Sequence, residues 1–147
     1  MALIADSGGI YALYDRRDAH YARVRAAVEQ EKDEIIIPSV VLTEIDHLLR
    51  MRVGNRAMLR VLADIDKGAF QIEAVTPDDL RRCAALIQLY ADLELDLCDA
   101  AVVAAAERLG TNRILTVDER DFRVIRSLGG EPFVLLPSDS LKGKRRG

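Results

Sequence analysis

Asp96-Leu97-Cys98-Asp99-Ala100-Ala101-Val102-Val103-Ala104-Ala105-Ala106, punctuated at Gly110 and followed by Ile114-Leu115-Thr116-Val117-Asp118, decides the fold. The first part predicts a helix over 97–109 that is apolar on all sides, and such a helix belongs inside a protein rather than on its surface. The second part is short, rich in branched residues and closed by an acid, which reads as a strand. The same alternation extends in both directions. Leu3-Ile4-Ala5, Ile35-Ile36-Ile37 and the runs at 70–75 and 133–136 read as strands, and the amphipathic stretches over 10–31, 40–67 and 77–93 read as helices, with punctuation at Gly54 and Gly68. Strands alternating with helices of this length argue for right-handed crossovers. The expected fold is therefore α/β, a three-layer α/β/α sandwich around a mainly parallel sheet.

The 147 residues suit one domain with a real core, and 50% hydrophobic with 31% charged residues is the composition of a globular protein. The folded domain is expected over 1–138. A disordered basic tail is expected over 139–147, where Lys142, Lys144, Arg145 and Arg146 crowd together. No apolar run approaches the roughly 18 residues of a spanning helix, and Asp6 comes too early for the apolar region of a signal peptide. The expected location is cytoplasmic, without membrane. Cys83 and Cys98 lie in apolar helical patterns without metal-ligand spacing and read as small core residues. A net charge of −3 does not by itself advertise nucleic-acid binding.

In such folds ligands bind beyond the carboxyl ends of the strands, so acids at those ends matter first. Asp6 follows the first strand and Asp118 the fourth, which places both at one edge of the sheet. Either alone could equally cap the next helix. Glu44, one turn into the helix after the second strand, can face the same crevice, although a lone Glu more often lies on a solvated face. His47, a turn further on, has no partner that spacing identifies and reads as solvent-facing. Asp99 is the sharpest anomaly. An ionised carboxylate in the first turn of a buried helix costs several kcal/mol unless a cation, donors or the helix terminus compensates it. Asp96, three residues earlier, is placed as the N-cap and leaves Asp99 free for another role.

Asp6, Glu44, Asp99 and Asp118 in one cleft would repel one another, and Mg²⁺ or Mn²⁺ would relieve this. Asp6, Asp99 and Asp118 are the expected metal ligands. Such a site can activate water and neutralise a phosphodiester, so hydrolysis of that bond is the natural chemistry. Ser7 and Thr116 can hydrogen-bond these carboxylates or the scissile phosphate, with backbone capping equally open to both. For the polyanion, Arg52, Arg56 and Arg60 are spaced four apart and form one stripe if Gly54 does not break the helix, a solvated face being the alternative. Arg120, Arg123 and the basic tail are the other candidate track.

These residues resemble the motifs of PIN-domain ribonucleases and, within them, the VapC-like toxins of bacterial toxin–antitoxin pairs. The resemblance spans nearly the whole chain. Asp6-Ser7 resembles the opening acid and its small polar neighbour, and Leu42-Thr43-Glu44-Ile45 the helix-borne glutamate. Asp99-Ala100 is similar to the third motif, and Thr116-Val117-Asp118 with Asp121-Phe122 to the fourth. Asp96 departs from the pattern, since the family more often has a small hydroxyl residue there, and Asp121 can share or replace the duty of Asp118. The resemblance implies a Mg²⁺- or Mn²⁺-dependent endoribonuclease that dimerises and is silenced by a cognate VapB-like antitoxin whose tail occupies the cleft. Two rivals remain. A receiver domain needs adjacent early acids and a late lysine, where this chain has Gly129-Gly130-Glu131-Pro132. A catalytically inactive PIN-like module that only binds RNA or protein is the stronger one.

Overall fold

The structure, a computed structural model, describes residues 1–140. Strands β1 (Leu3–Ala5), β2 (Ile35–Pro38), β3 (Gln71–Glu73), β4 (Arg113–Leu115) and β5 (Val134–Leu136) form one sheet in the order β3-β2-β1-β4-β5. Every pairing is parallel. Leu3, Ile4, Ala5 and Ile35 to Pro38 are all buried, the continuous apolar pattern of strands covered on both faces.

The helices are α1 (Ser7–Leu13), α2 (Tyr21–Gln30), α3 (Val41–Arg52), α4 (Asn55–Asp66), α5 (Pro77–Leu89), α6 (Leu97–Arg108) and α7 (Glu119–Val124). The chain steps β1 to β2 to β3 in one direction, with α1 to α4 in the connections, and then returns through α5 and α6 to β4. Right-handed crossovers in opposite directions put these two helix groups on opposite faces of the sheet. Accordingly α1 packs on α2 and α3, α3 on α4, and α5 on α6. The all-apolar helix α6 lies against β1, β2 and β4 and buries Ala100 to Ala106. Its small side chains allow that close approach. Because β2 and β4 flank β1, the strand order reverses beside β1, and the crevice of such a sheet opens beyond the ends of β1 and β4.

Several element bounds differ from the sequence reading, each for a local reason. The helix expected over 10–31 is two helices, because Asp15 Oδ1 accepts the Arg17 N–H and Asp18 Oδ1 the His20 N–H, and these Asx turns compete with helix continuation. The helix expected over 40–67 breaks at Gly54, which has φ 131° and precedes α4. The helix expected over 77–93 ends at Leu89 and passes into a 3-10 turn at Ala91–Leu93. Helix α7 was not anticipated at all. Asp139, assigned by sequence to the tail, accepts the Leu135 N–H at 2.8 Å and pairs with Arg123. Lys142, Lys144, Arg145 and Arg146 lie outside the described residues. Among the described residues no helix is long and apolar enough to cross a membrane.

Candidate active site

Asp6 stands at the turn from β1 into α1, where its Oδ1 accepts the Gly9 N–H at 2.8 Å. It therefore does cap the next helix. Its Oδ2 accepts the Thr116 hydroxyl at 2.5 Å, a contact between the ends of β1 and β4. The same Thr116 Oγ1 accepts the Asp118 N–H at 3.1 Å, so one hydroxyl ties both strand ends together. Two bonds leave lone pairs on the Asp6 carboxylate. Gly9 makes this geometry possible, since a Cβ there would lie 2.6 Å from the Leu115 carbonyl oxygen. Only glycine lets the first turn of α1 press against the end of β4.

Glu44 lies in the first turn of α3 and accepts a short hydrogen bond from the Ser7 hydroxyl. This bond joins the starts of α1 and α3. The Cys98 thiol also abuts Glu44, with its sulfur 4.0 Å from the Val40 carbonyl oxygen, and burial together with the Glu44 carboxylate pushes its pKa up to about 12. Cys98 is thus a neutral, half-buried member of the site wall rather than a plain core residue. Cys83 is buried as expected.

Asp96 caps α6, its Oδ1 accepting the Asp99 N–H at 2.8 Å. The Asp99 carboxylate accepts no hydrogen bond among the described residues. Burial first, then the charges of Asp96, Asp6, Asp118 and Glu44, raise its pKa to about 8. Asp6 is likewise raised to about 7 by burial, against the lowering hydrogen bonds from Thr116 and Gly9, with Asp118 and Glu44 adding repulsion. Four acids thus act on one another across the ends of β1, β4, α3 and α6. Asp118 occupies the N-cap position of α7 without making a side-chain cap bond, so its exposed carboxylate is not engaged in capping. Asp121 is buried, lies 3.4 Å from Arg120, and is absent from the charges that raise Asp6 and Asp99.

Other buried acids are treated differently by the fold. Asp79 is bonded by Arg108 at 2.9 and 3.1 Å, and Glu31 by Arg113, and each guanidinium holds its carboxyl below the usual range. No cation plays that part for Asp6 or Asp99 among the described residues. The donor set at the crevice is all oxygen, which suits a hard divalent ion. Among the described residues no three acidic, histidine or cysteine side chains are arranged to hold an ion as they stand. Mg²⁺, however, takes only one or two protein carboxylates and keeps several waters.

The remaining expectations fall outside this cluster. His47 is exposed. Gly54 breaks the Arg52, Arg56, Arg60 stripe, leaving Arg52 on α3 and the other two on α4. Arg52 instead stacks over the Tyr11 ring at 5.2 Å. Arg123 is engaged by Glu119 and Asp139. Gly9 and Cys98 were missed as site residues. A trace of the first was visible in Asp6-Ser7-Gly8-Gly9, where two glycines open a helix; nothing in the sequence marked the second.

The chain is similar to known proteins over most of its length. Ribonuclease VapC26 of Mycobacterium tuberculosis (strain ATCC 25618 / H37Rv) is 30% identical over 135 residues, which is 92% of this chain and 100% of that protein. The fold is similar to the crystal structure of Mycobacterium tuberculosis VapC20, a sarcin-ricin loop cleaving toxin, with TM-score 0.75 and 21% identity over 80% of this chain and 91% of the other. It is also similar to a chain of a toxin-antitoxin complex from Klebsiella pneumoniae, with TM-score 0.66 and 21% identity over 84% and 92% of the two chains. The PIN domain family profile matches residues 3–128, and the chain belongs to the PIN domain family.

Proposed function

We propose that this protein is a Mg²⁺- or Mn²⁺-dependent endoribonuclease and the toxin of a toxin–antitoxin pair. One observation carries the reading: buried Asp6 and half-buried Asp99 act on Glu44 and Asp118 with no arginine beside them among the described residues, whereas the structural acids Asp79 and Glu31 each have one. A fold that pairs its buried acids elsewhere has left this group for an external cation. When bound, such an ion supplies charge neutralisation at the phosphodiester and a more acidic water. Asp6 and Asp99 would hold it, with Asp118 completing the shell directly or through water. Thr116 fixes the Asp6 carboxylate, and Ser7 fixes Glu44, whose free oxygen is left to orient the attacking water and take its proton.

The relatives' names and this chemistry support RNA as substrate and an antitoxin as partner, and the same reading extends to a dimer in the cytoplasm. The substrate is RNA, the silencing partner a VapB-like antitoxin, the working form a homodimer, and the compartment the cytoplasm, where the two free cysteines stay reduced. The test is cleavage of single-stranded RNA by the purified chain with Mg²⁺ or Mn²⁺, against the same reaction in excess chelator. Metal-dependent cleavage supports the reading; RNA binding without cleavage at any metal concentration would assign the chain to inactive binding modules.

A further inference from the structure

Resting on that reading, we propose that the cleft at the far ends of α1 and α3 is a second RNA subsite, which grips the backbone and stacks bases next to the cleavage site. The break at Gly54 that ends the helical stripe lets α4 turn back, and Arg60 then lines one cleft with Arg16 and Arg17 from the α1–α2 turn. The cleft has a volume of about 510 Å³ and is walled by these three arginines with Tyr14 and Tyr21, against one carboxylate, Asp15. It is the counterpart of the acid cluster along the same two helices. Ser7 bonds Glu44 where α1 and α3 begin, and Arg52 lies over Tyr11 one turn later. Helix α1 has 7 residues, so the cleft begins about 10 Å from the acids.

The charges here are spent differently from those elsewhere. Arg82, Arg108, Arg113 and Arg123 are each bound to carboxylates. Among the described residues Arg16, Arg17, Arg52 and Arg60 have no ion pair within salt-bridge distance. The two acids nearest them are occupied by tyrosines, Asp15 by the Tyr11 hydroxyl and Asp64 by the Tyr14 hydroxyl at 2.5 Å. Those bonds hold the rings of Tyr11 and Tyr14 in place. Although the Asp15 charge attracts Arg17 and Arg52, none of these guanidinium groups is tied in an ion pair among the described residues, so an outside anion can engage them. Unpaired arginines alternating with fixed aromatic rings suit single-stranded RNA, whose phosphates take the cations and whose unstacked bases take the rings. In an acidic chain this gives the polyanion a foothold away from the repelling carboxylates.

The test is binding of a fluorescent single-stranded oligoribonucleotide over a salt series, in a Glu44→Gln background so that cleavage does not intervene. Replacing Arg16, Arg17 and Arg60 together by Ala should lower the slope of log affinity against log salt by about 0.7 for each lost phosphate contact. The corresponding triple Lys variant should keep most of the slope, and Arg81→Ala, remote on α5, should leave it unchanged. Tyr21→Ala should weaken binding at every salt concentration without changing the slope. With Glu44 intact, the triple Ala variant should raise KM for long RNA and spare kcat. An unchanged slope in the triple Ala variant overturns the proposal, and unchanged RNA binding with loss of a protein partner gives the cleft to that partner instead. The slope is read without catalysis, so a wild-type chain that binds RNA here but never cuts it would refute the ribonuclease reading and leave the subsite standing.

Discussion

Asp96 and Asp99 share one helix end and divide its work, which makes them separable by substitution. Asp96 spends an oxygen on the Asp99 N–H, and its charge is the largest electrostatic contribution raising Asp99. Asp96→Asn keeps a capping oxygen and removes that repulsion, so it should retain cleavage, whereas Asp96→Ala should cost about 1 kcal/mol of stability. Asp99→Asn should retain the fold and lower metal-dependent cleavage by about 10²-fold or more, as should Asp6→Asn and Glu44→Gln. Cleavage rates and thermal melts on the same variants separate the roles, and wild-type activity in Asp99→Asn would remove it from the site. Thr116→Val is subtler. It deletes the hydroxyl that fixes Asp6 while leaving the ligand set untouched, and should lower metal affinity by about 10–100-fold.

At the scale of elements, the sequence revealed what repeats and concealed what happens once. Strands β1 and β2 were legible because a sheet covered on both faces demands unbroken apolar runs, and α6 because seven successive small apolar residues have no place outside a core. The exposed edge strand β3, by contrast, carries Gln71 and Glu73 and was marked mainly by its flanking Phe70 and Val75. The acids at the ends of β1, β4 and α6 followed from the parallel order. What stayed hidden was local backbone chemistry: the Asx turns at Asp15 and Asp18, the positive φ of Gly54, and the short α7. The arginine stripe failed for the same reason, since four-residue spacing has meaning only inside one helix. Gly9 shows how an element can govern a site. Gly9→Ala places a methyl group against the Leu115 carbonyl, must push α1 off β4, and should cost about 1–3 kcal/mol together with most activity. Gly8→Ala, whose Cβ meets the Val117 side chain at 3.1 Å, should be milder. Equal losses in the two variants, measured by melting and by cleavage, would contradict the close approach at Gly9.

The whole molecule should respond to pH, and on the proposed reading to metal, through the acids gathered where the strand order reverses. Asp6 and Asp99 ionise less readily in the folded chain than in the unfolded one, near 7 and 8 rather than in the ordinary carboxyl range. Through the neutral range up to about pH 8 these two acids of the metal-free folded state hold protons that the unfolded state has released, so their contribution to stability falls as pH rises. The lowered acids Glu31 and Asp79 add stability only as pH rises through the acid range below it. On the proposed reading metal should reverse the slope. A cation held by the ionised acids of the folded state would stabilise it increasingly with pH as they deprotonate, by about 2.7 kcal/mol when the ion is at 100 times its dissociation constant. Melting temperatures at pH 5.5 and pH 8, with EDTA and with excess Mn²⁺, should thus show a small metal effect at the lower pH and a large one at the higher. In EDTA the Asp6→Asn, Asp99→Asn double variant should melt higher than wild type at pH 8, because the repelling charges are gone, and should gain little from Mn²⁺. A wild-type chain that is most stable in EDTA at pH 8, or a double variant that gains from Mn²⁺ as much as wild type does, would show that these acids are satisfied by the protein itself.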